Sequence, residues 1–296
     1  MPDAVCIYNP ASRSAPSSAL LTKLRNQFLK AGYSVDFQAT ERPLHATDLA
    51  RSAVASSTDL VIACGGDGTI QEVASGMAHS HVPLAILPSG TANVLARELN
   101  LPRNPLKAVA VMPSLEPRRI ALGKCGEEYF LLMAGVGIDA AAIDRVNPRL
   151  KSRIGRMAFV YSGLQCWSAG GFEPLSVRVD GTEYQCTFVV ASRVTRYGGS
   201  LRIARHADLF SDRFAVCLFP GTSRLDYLRY VAGILSGTHH RFKDVVCVAG
   251  RSVEISAEKP VRFQLDGELK GFTPVQLELI PDALTLLVPK KRRSRS

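Results

Sequence analysis

The sequence predicts an α/β domain followed by a largely antiparallel β-sandwich domain, and two patterns carry this prediction. Up to residue 118, short apolar strands alternate with amphipathic helices, which is typical of a mainly parallel sheet covered by helices on both faces. From residue 119 to 283, short strands follow one another with turn residues between them, as in a β-sandwich. The C-terminal segment 284–296 is a candidate to return to the first domain.

The elements of the first domain are predicted from apolar periodicity and from the residues that begin or end each run. Ser17 or Ser18 is a candidate cap for the first helix, in which Leu20, Leu24 and Phe28 share one face. The predicted strands span 4–9, 33–40, 59–66 and 83–90, and the predicted helices span 19–32, 44–56, 69–78, 91–99 and 104–112. Ligands of such sheets bind at the carboxyl ends of the strands, where GGDGT (65–69) and PSGTAN (88–93) lie.

The second domain is predicted as a series of strands with one helical interruption. Asp180 and Gly181 form a hairpin signal between two of these strands. The predicted strands span 118–125, 128–137, 175–181, 183–192, 214–221, 245–250, 252–257, 261–269, 274–281 and 284–289. The helical stretch spans 138–168, and its first part carries the basic residues Arg145, Arg149, Lys151, Arg153 and Arg156.

Composition excludes several classes of protein. With 46% hydrophobic and 21% charged residues the chain is globular, and it contains neither an 18-residue apolar run nor a secretory signal pattern. Seven dispersed cysteines predict reduced, buried thiols in a cytoplasmic protein. The net charge of +10 is concentrated partly in the C-terminal KKRRSRS, which is either a solvated tail or a contact for anionic membranes. No nucleic-acid motif is present, so we expect no nucleic-acid partner.

The glycines that follow the third strand have two interpretations. They either form a tight strand–helix turn or let backbone amides approach a phosphate at a helix N-terminus. The second glycine-containing strand end, PSGTAN, favours phosphate binding. Asp67 would repel a phosphate unless a cation lies between them, which suggests Mg²⁺ with a nucleoside triphosphate. The chain contains no GxxxxGK[ST] and no GxGxxG at the first strand, so neither a Walker A motif nor a Rossmann fingerprint explains the loop.

Several further motifs resemble those of the bacterial YegS-like lipid kinases, which share the NAD-kinase/diacylglycerol-kinase-like catalytic domain with ceramide and sphingosine kinases. The resemblance covers nearly the whole chain. It rests on YNPASRS (8–14), GGDGTIQEV (65–73), LPSGTANVLAREL (87–99), AGVGIDA (134–140), YGGSLRIARHADLFSDRFAV (197–216) and FQLDGEL (263–269). GGDGT alone is shared with NAD kinases and phosphofructokinase-like enzymes, whereas GGDGT, GTAN and LDGE in this order are specific.

The resemblance implies an ATP-dependent lipid kinase with ATP and Mg²⁺ as cofactors. The implied nucleotide-binding residues are Asn9, Thr40, Gly65, Gly66, Asp67, Gly68, Thr69, Gly90, Thr91 and Asn93. The implied catalytic residues are Asp266 as the base for the acceptor hydroxyl, with Asp67 and Glu268 organising Mg²⁺, directly or through water. Asp139 is implied to lie near the lipid.

The chain departs from the family pattern at several positions. Leu44 stands where the family has a glycine, and Val94 where many members have an aspartate. Ser211-Asp212 replaces an Asp-Gly pair that holds a structural metal in some members. Either Asp212 or Asp208 takes over this role, or the second metal site is absent.

The predicted function is phosphoryl transfer to a diacylglycerol- or sphingosine-like lipid. The alternatives are a kinase for a non-lipid acceptor and a catalytically weak nucleotide- or lipid-binding regulator on the same scaffold. A lipid substrate predicts a cytoplasmic, peripherally membrane-associated enzyme that contacts an anionic surface through its basic segments. A homodimer, through the nucleotide domain or an exposed β edge, stays open.

Overall fold

The structure is a computed structural model that describes residues 1–12, 15–137, 172–197 and 201–290. The chain divides into two compact units, Met1–Leu122 with Pro281–Ser296, and Gly123–Ile280. The domain boundaries predicted from the sequence, at residues 118 and 284, stay a prediction. Three predictions lie outside the described residues: the helical stretch 138–168, Asp139 within it, and the basic tail beyond Lys290.

The first unit is the predicted α/β domain with a parallel sheet. Its strands are β1 (Asp3–Tyr8), β2 (Ser34–Ala39), β3 (Leu60–Gly65) and β4 (Pro83–Pro88), in the order β2-β1-β3-β4. Its helices are α1 (Ser18–Lys30), α2 (His45–Ala55), α3 (Asp67–Gly76), α4 (Val94–Glu98) and α5 (Pro105–Val111), followed by a 3₁₀ turn at Met112–Ser114. β1 pairs in parallel with both β2 and β3, and β3 pairs in parallel with β4.

Both faces of this sheet are covered at its centre, which explains why β3 and β4 are apolar throughout, whereas the edge strand β2 carries exposed polar residues. Cys6, Ile62 and Leu87 pack with α1 and α5, through Leu24 and Phe28 of α1, in one core cluster. The residues between them on the strands point to the opposite face, and β1 and β3 also contact α2 and α3. Strands buried on both faces are the signature of parallel α/β sheets, so the predicted fold class is confirmed for this half.

The second unit is largely antiparallel, as predicted. Its strands are β6 (Glu128–Phe130), β7 (Met133–Val136), β8 (Leu175–Val179), β9 (Thr182–Cys186), β10 (Phe188–Ser192), β11 (Arg196–Tyr197), β12 (Leu201–Arg202), β13 (Phe214–Phe219), β14 (Val246–Gly250), β15 (Ser252–Ala257), β16 (Arg262–Leu265) and β17 (Glu268–Phe272). One sheet has the order β14-β13-β10-β7-β16-β17, and β15, β8 and β9 form an antiparallel run in another.

Two long strands, β5 (Leu115–Cys125) and β18 (Val275–Pro289), have residues in both units. The first part of β18 pairs with β15 in antiparallel orientation, from Val275 to Glu278. Its last part pairs in parallel with β4, where Thr285 and Leu286 face Pro83 and Leu84. The two separate strands predicted at 274–281 and 284–289 are therefore one continuous strand.

The structure corrects other local predictions. A helix, α6 (Arg224–Ser236), and a 3₁₀ turn at His239–Arg241 lie where no element was predicted. The segment predicted as one strand at 128–137 is divided into β6 and β7, which belong to different sheets. Of the described cysteines, which are all free, Cys125 is half-buried and Cys247 is exposed, so the prediction of buried thiols is wrong for these two. Within the described residues no helix is both long and apolar enough to span a bilayer.

Candidate functional site

The carboxyl ends of β1 and β2 place Asn9 and Thr40 close together in the first unit. Asn9 directly follows β1, and its Oδ1 accepts the backbone N–H of Ala11 at 2.8 Å. Thr40 directly follows β2, and its backbone N–H donates to the carbonyl oxygen of Tyr8 at 2.9 Å. Both predicted nucleotide-binding residues therefore lie at the sheet edge where ligands of parallel α/β folds bind.

The GGDGT segment forms the turn from β3 into α3. Gly65 is the last residue of β3, Gly66 is the N-cap of α3, and Asp67, Gly68 and Thr69 form its first turn. No side chain caps this helix. The first amides of a helix have no acceptor within the helix, and they carry the positive end of its dipole. The arrangement therefore offers N–H donors to an anion.

The PSGTAN segment forms a second turn that packs on the first. The Cα of Gly66 lies so near Gly90 that a Cβ on Gly90 would be 2.5 Å from it. The Asn93 side chain closes this turn, since its Oδ1 accepts the Gly90 N–H at 2.9 Å and its Nδ2 donates to the Gly90 carbonyl at 2.8 Å. Asn93 is buried, with φ 47°, while Thr91 is exposed. The two turns thus approach each other through Gly66 and Gly90, where neither backbone carries a side chain.

Asp67 connects the two turns. Its Oδ1 accepts the backbone N–H of Val94 at 2.7 Å and that of Leu95 at 3.4 Å, so it caps the short helix α4. Burial raises the pKa of the Asp67 carboxyl above its ordinary value, although backbone hydrogen bonds, including those from Leu95 and Val94, oppose this shift. The Asp67 carboxylate therefore has hydrogen-bond partners within the protein, and its role beside Mg²⁺ stays a prediction.

A cleft of about 370 Å³ opens beside the second turn. Its lining includes three of the predicted nucleotide-binding residues, Gly90, Thr91 and Asn93, together with Arg97 and Arg103. Neither arginine was among the predicted site residues. Arg97 belongs to the LPSGTANVLAREL motif, so the motif itself carried a signal for it, whereas Arg103 lies in the following loop, where no pattern marked it. Two guanidinium groups beside a glycine turn suit a phosphate ligand.

The LDGE segment forms the hairpin between β16 and β17. Asp266 and Gly267 both have positive φ, 50° and 91°, which is the conformation of a two-residue type I′ turn. The Asp266 carboxylate accepts three backbone N–H groups of one segment: Leu131 to Oδ2 at 2.6 Å, and Leu132 and Met133 to Oδ1 at 2.8 Å each. These charge-assisted hydrogen bonds stabilise a negative charge on Asp266 and fix its orientation.

A fully buried arginine lies behind this carboxylate, and the sequence analysis did not identify it. Arg193 Nη1 donates to the Leu131 carbonyl at 3.2 Å, and Nη2 donates to the Leu209 carbonyl at 2.7 Å. Burial lowers the pKa of Arg193 to about 10, while the negative charges of Asp266 and Asp208 act in the opposite direction. Leu131 thus contacts Asp266 through its N–H and Arg193 through its carbonyl, which couples the two charges.

Glu268, the other acid of the LDGE segment, is exposed at the start of β17. Lys270 Nζ lies 3.5 Å from its carboxylate and 2.7 Å from that of Glu128. Burial acts to lower the pKa of Lys270, but the two carboxylates more than offset this effect, so the pKa is raised. The sequence analysis did not identify Lys270, which lies just after the strand predicted at 261–269, where no pattern marked it.

The structure gives no support to a second metal at Asp212. Its carboxylate forms an ion pair with Arg251, and Asp208 accepts the backbone N–H of Phe210 through Oδ1 at 2.9 Å. In the part of the chain that the structure describes, no cluster of three or more His, Cys, Asp or Glu side chains could hold a metal ion. Asp139, the implied lipid contact, lies outside the described residues.

Comparisons with known proteins agree with this picture. Residues 3–125 match the family model described as diacylglycerol kinase catalytic domain, and residues 133–288 match that described as YegS C-terminal NAD kinase beta sandwich-like domain. A diacylglycerol kinase of Mycobacterium tuberculosis is 30% identical over 254 residues, 83% of this chain and 82% of the relative. A diacylglycerol kinase of Bacillus subtilis is 27% identical over 291 residues, 97% of this chain and 96% of the relative. A solved diacylglycerol kinase structure from Bacillus anthracis superimposes with a TM-score of 0.77 at 22% identity, covering 97% of this chain and 96% of its own, and shares the fold.

Proposed function

The chain belongs to the YegS-like lipid kinase family and is an ATP-dependent lipid kinase, and from this premise we propose that it phosphorylates the hydroxyl of a diacylglycerol- or sphingosine-like lipid. The observation that carries the proposal is the pair of packed glycine turns after β3 and β4, beside a cleft with two arginines. The amides of Gly65, Gly66, Gly68 and Thr69 contact the phosphates of ATP. The Gly90–Asn93 turn, with Asn9 and Thr40, holds the rest of the nucleotide.

Asp67 fits a role beside Mg²⁺. Its burial raises the cost of its charge, and the backbone hydrogen bonds offset this cost only in part. Asp67 would hold a divalent cation that compensates the remaining charge, since carboxylate oxygens are the ligands that Mg²⁺ prefers. Glu268 is exposed, and it would contact the Mg²⁺ ion through a water molecule. Bound Mg²⁺ supplies neutralisation of the charge that develops on the transferred phosphoryl group.

Asp266 accepts the proton of the acceptor hydroxyl. Asp266 is a weak base, as an aspartate ordinarily is, and three amide hydrogen bonds hold its carboxylate in place. A weak base suffices because phosphoryl transfer passes through a loose transition state, in which the proton leaves late. The rigid hydrogen bonding supports a positioning role as well, since a fixed carboxylate orients the hydroxyl for attack.

The test of this role compares two aspartates in equivalent hairpins. Asp266→Asn is expected to lower lipid phosphorylation by about 10²–10⁴-fold, while the thermal shift caused by ATP and Mg²⁺ is retained. Asp180→Asn is the matched control, because Asp180 also begins an Asp-Gly turn and accepts the backbone N–H groups of Arg251 and Ser252 at 2.9 Å. This control is expected to turn over at the wild-type rate in a labelled-ATP assay with lipid extract.

Other results would select the alternatives. Wild-type turnover by Asp266→Asn would show that it is not the base. A thermal shift with ATP and Mg²⁺ but no labelled product would favour a regulator, and labelled product only in the aqueous phase would favour a non-lipid acceptor. Peripheral membrane association and a homodimer remain predictions, and the basic segments named for the membrane lie mostly outside the described residues.

A further inference from the structure

The helix α6 exposes a line of leucines on the surface of the second unit. Leu225, Leu228 and Leu235 are 76%, 38% and 41% exposed, and they account for three of the large exposed apolar side chains of the described residues. Their spacing of three and seven residues, with exposed Ala232 between them, places them along one side of the helix. We call these three side chains the leucine stripe.

The opposite side of α6 is anchored, so the leucine stripe cannot rotate into the core. Tyr227 and Tyr230 are buried, and Tyr227 donates its hydroxyl to Thr187 Oγ1 at 2.8 Å. Tyr230 donates its hydroxyl to Asp244 Oδ2. A capping box between Ser223 and Asp226 fixes the start of the helix. An ordered, capped helix thus presents apolar side chains to the outside.

The surroundings of the leucine stripe are basic. Arg224 and Arg229 lie on α6 itself, and Arg241 and Lys243 are exposed in the segment that packs on it through Phe242. Arg205 Nη2 donates to the carbonyl of Gly237, the C-cap of α6, at 2.9 Å. Among the described residues, the acids Asp226 and Asp244 belong to this surface, and both pair with Arg229. The surface around the stripe is therefore positively charged overall.

We propose that α6 docks the enzyme on an anionic lipid bilayer. The leucine stripe enters the boundary between headgroups and acyl chains, and the surrounding basic side chains contact the lipid phosphates, as in an interfacial amphipathic helix. We choose a bilayer because of charge complementarity. Apolar side chains with basic residues beside them match a membrane surface, which has an apolar interior and anionic headgroups. The inference deepens the proposed function and rests on it, since the acceptor lipid of such a kinase resides in a bilayer.

The test measures co-sedimentation of the full chain with phosphatidylcholine vesicles, with and without phosphatidylglycerol. Wild-type protein is expected to bind the anionic vesicles and to dissociate as the salt concentration rises. The triple variant Leu225→Ser, Leu228→Ser, Leu235→Ser is expected to bind them at least about tenfold more weakly, because it removes buried apolar area. Leu29→Ser, at an exposed leucine of α1 in the other unit, is the control and is expected to bind like wild type. The double variant Arg241→Gln, Lys243→Gln is expected to bind more weakly and with a smaller salt dependence.

Phosphorylation of a short-chain diacylglycerol dissolved as monomers separates docking from catalysis. The triple variant is expected to keep wild-type turnover on this soluble acceptor and an unchanged melting temperature.

If wild type phosphorylates no lipid, the proposed function fails, but the vesicle measurement still decides the docking surface. Docking through α6 is overturned if wild type binds no vesicles, if it binds neutral and anionic vesicles equally, or if the triple variant binds like wild type. Loss of a dimer in the triple variant, with vesicle binding intact, would show that a second copy covers the stripe and would also overturn the proposal.

Discussion

The carboxylate of Asp67 is buried, and its hydrogen bonds offset the cost of burying its charge only in part. Its Oδ1 caps α4 through Val94 and Leu95, and its burial still raises the pKa. A structural cap and a metal contact do not exclude each other, because a carboxylate has two oxygens and several lone pairs. Through these hydrogen bonds the residue joins the two glycine turns.

Asp67→Asn is predicted to change stability in a pH-dependent way. The raised pKa stabilises the folded state fully below the ordinary value of 3.8, and this contribution is lost as the pH rises through the raised value. At neutral pH the variant, whose side-chain carbonyl can still accept the Val94 N–H, is expected to be more stable than wild type, because it buries no charge. The gain should vanish below pH 3.8 in urea titrations. A gain that is independent of pH would contradict the explanation.

Leu44 has a left-handed backbone conformation, which glycine adopts more readily, and the family motif has a glycine at this position. It is the N-cap of α2 with φ 62°, it makes no side-chain cap, and it is 60% exposed. Leu44→Gly relieves a left-handed cost of roughly 1–2 kcal/mol and adds about 0.5–1 kcal/mol of chain entropy to the unfolded state. The variant is therefore expected to be more stable by about 0.5–1 kcal/mol in urea unfolding. Leu29→Gly, within α1, is the control and is expected to lose about 1 kcal/mol.

At the scale of elements, the candidate nucleotide site consists of two strand–helix turns whose backbones touch. Gly90→Ala would place a Cβ 2.5 Å from Gly66 Cα and 2.8 Å from Asn93 Oδ1, whereas a Cβ on Gly66 would be 3.4 Å from Gly90 Cα. Gly90→Ala is expected to cost about 1–3 kcal/mol of unfolding free energy, and Gly66→Ala clearly less. Equal costs in chemical denaturation would show that the close approach does not constrain the fold.

The element that the sequence analysis missed, α6, shows why helical periodicity can fail. Its buried side carries Tyr227, Tyr230 and Ile234, and its exposed side carries the leucine stripe. Apolar residues on both sides leave no clear amphipathic pattern. The hairpin signals were local and therefore easier to identify, since Asp180-Gly181 and Asp266-Gly267 both adopt the positive φ values that two-residue turns require.

At the scale of the whole molecule, the end of the chain completes the first unit. Ending the chain after Ile280 removes the last part of β18, with Thr285 and Leu286 beside β4 and the buried Leu284 and Val288. This truncation is expected to abolish the ATP-dependent thermal shift and the cooperative unfolding of the first unit, because it exposes β4 and opens the core. Ending the chain after Lys290 is the control and should leave both unchanged. A first unit that melts normally without residues 281–296 would contradict this dependence.

The sequence by itself determined the two fold classes, the positions of the strands before residue 90 and the family, because periods of 2 and 3.6 residues and short motifs are local properties. Only the tertiary structure decided that Asp67 caps α4, that Gly66 touches Gly90, that Leu131–Met133 hold Asp266 close to Arg193, and that one continuous strand, β18, pairs with both β15 and β4. These contacts join residues far apart in the chain. Their geometry depends on how strands and loops cross in space, and no local pattern encodes that.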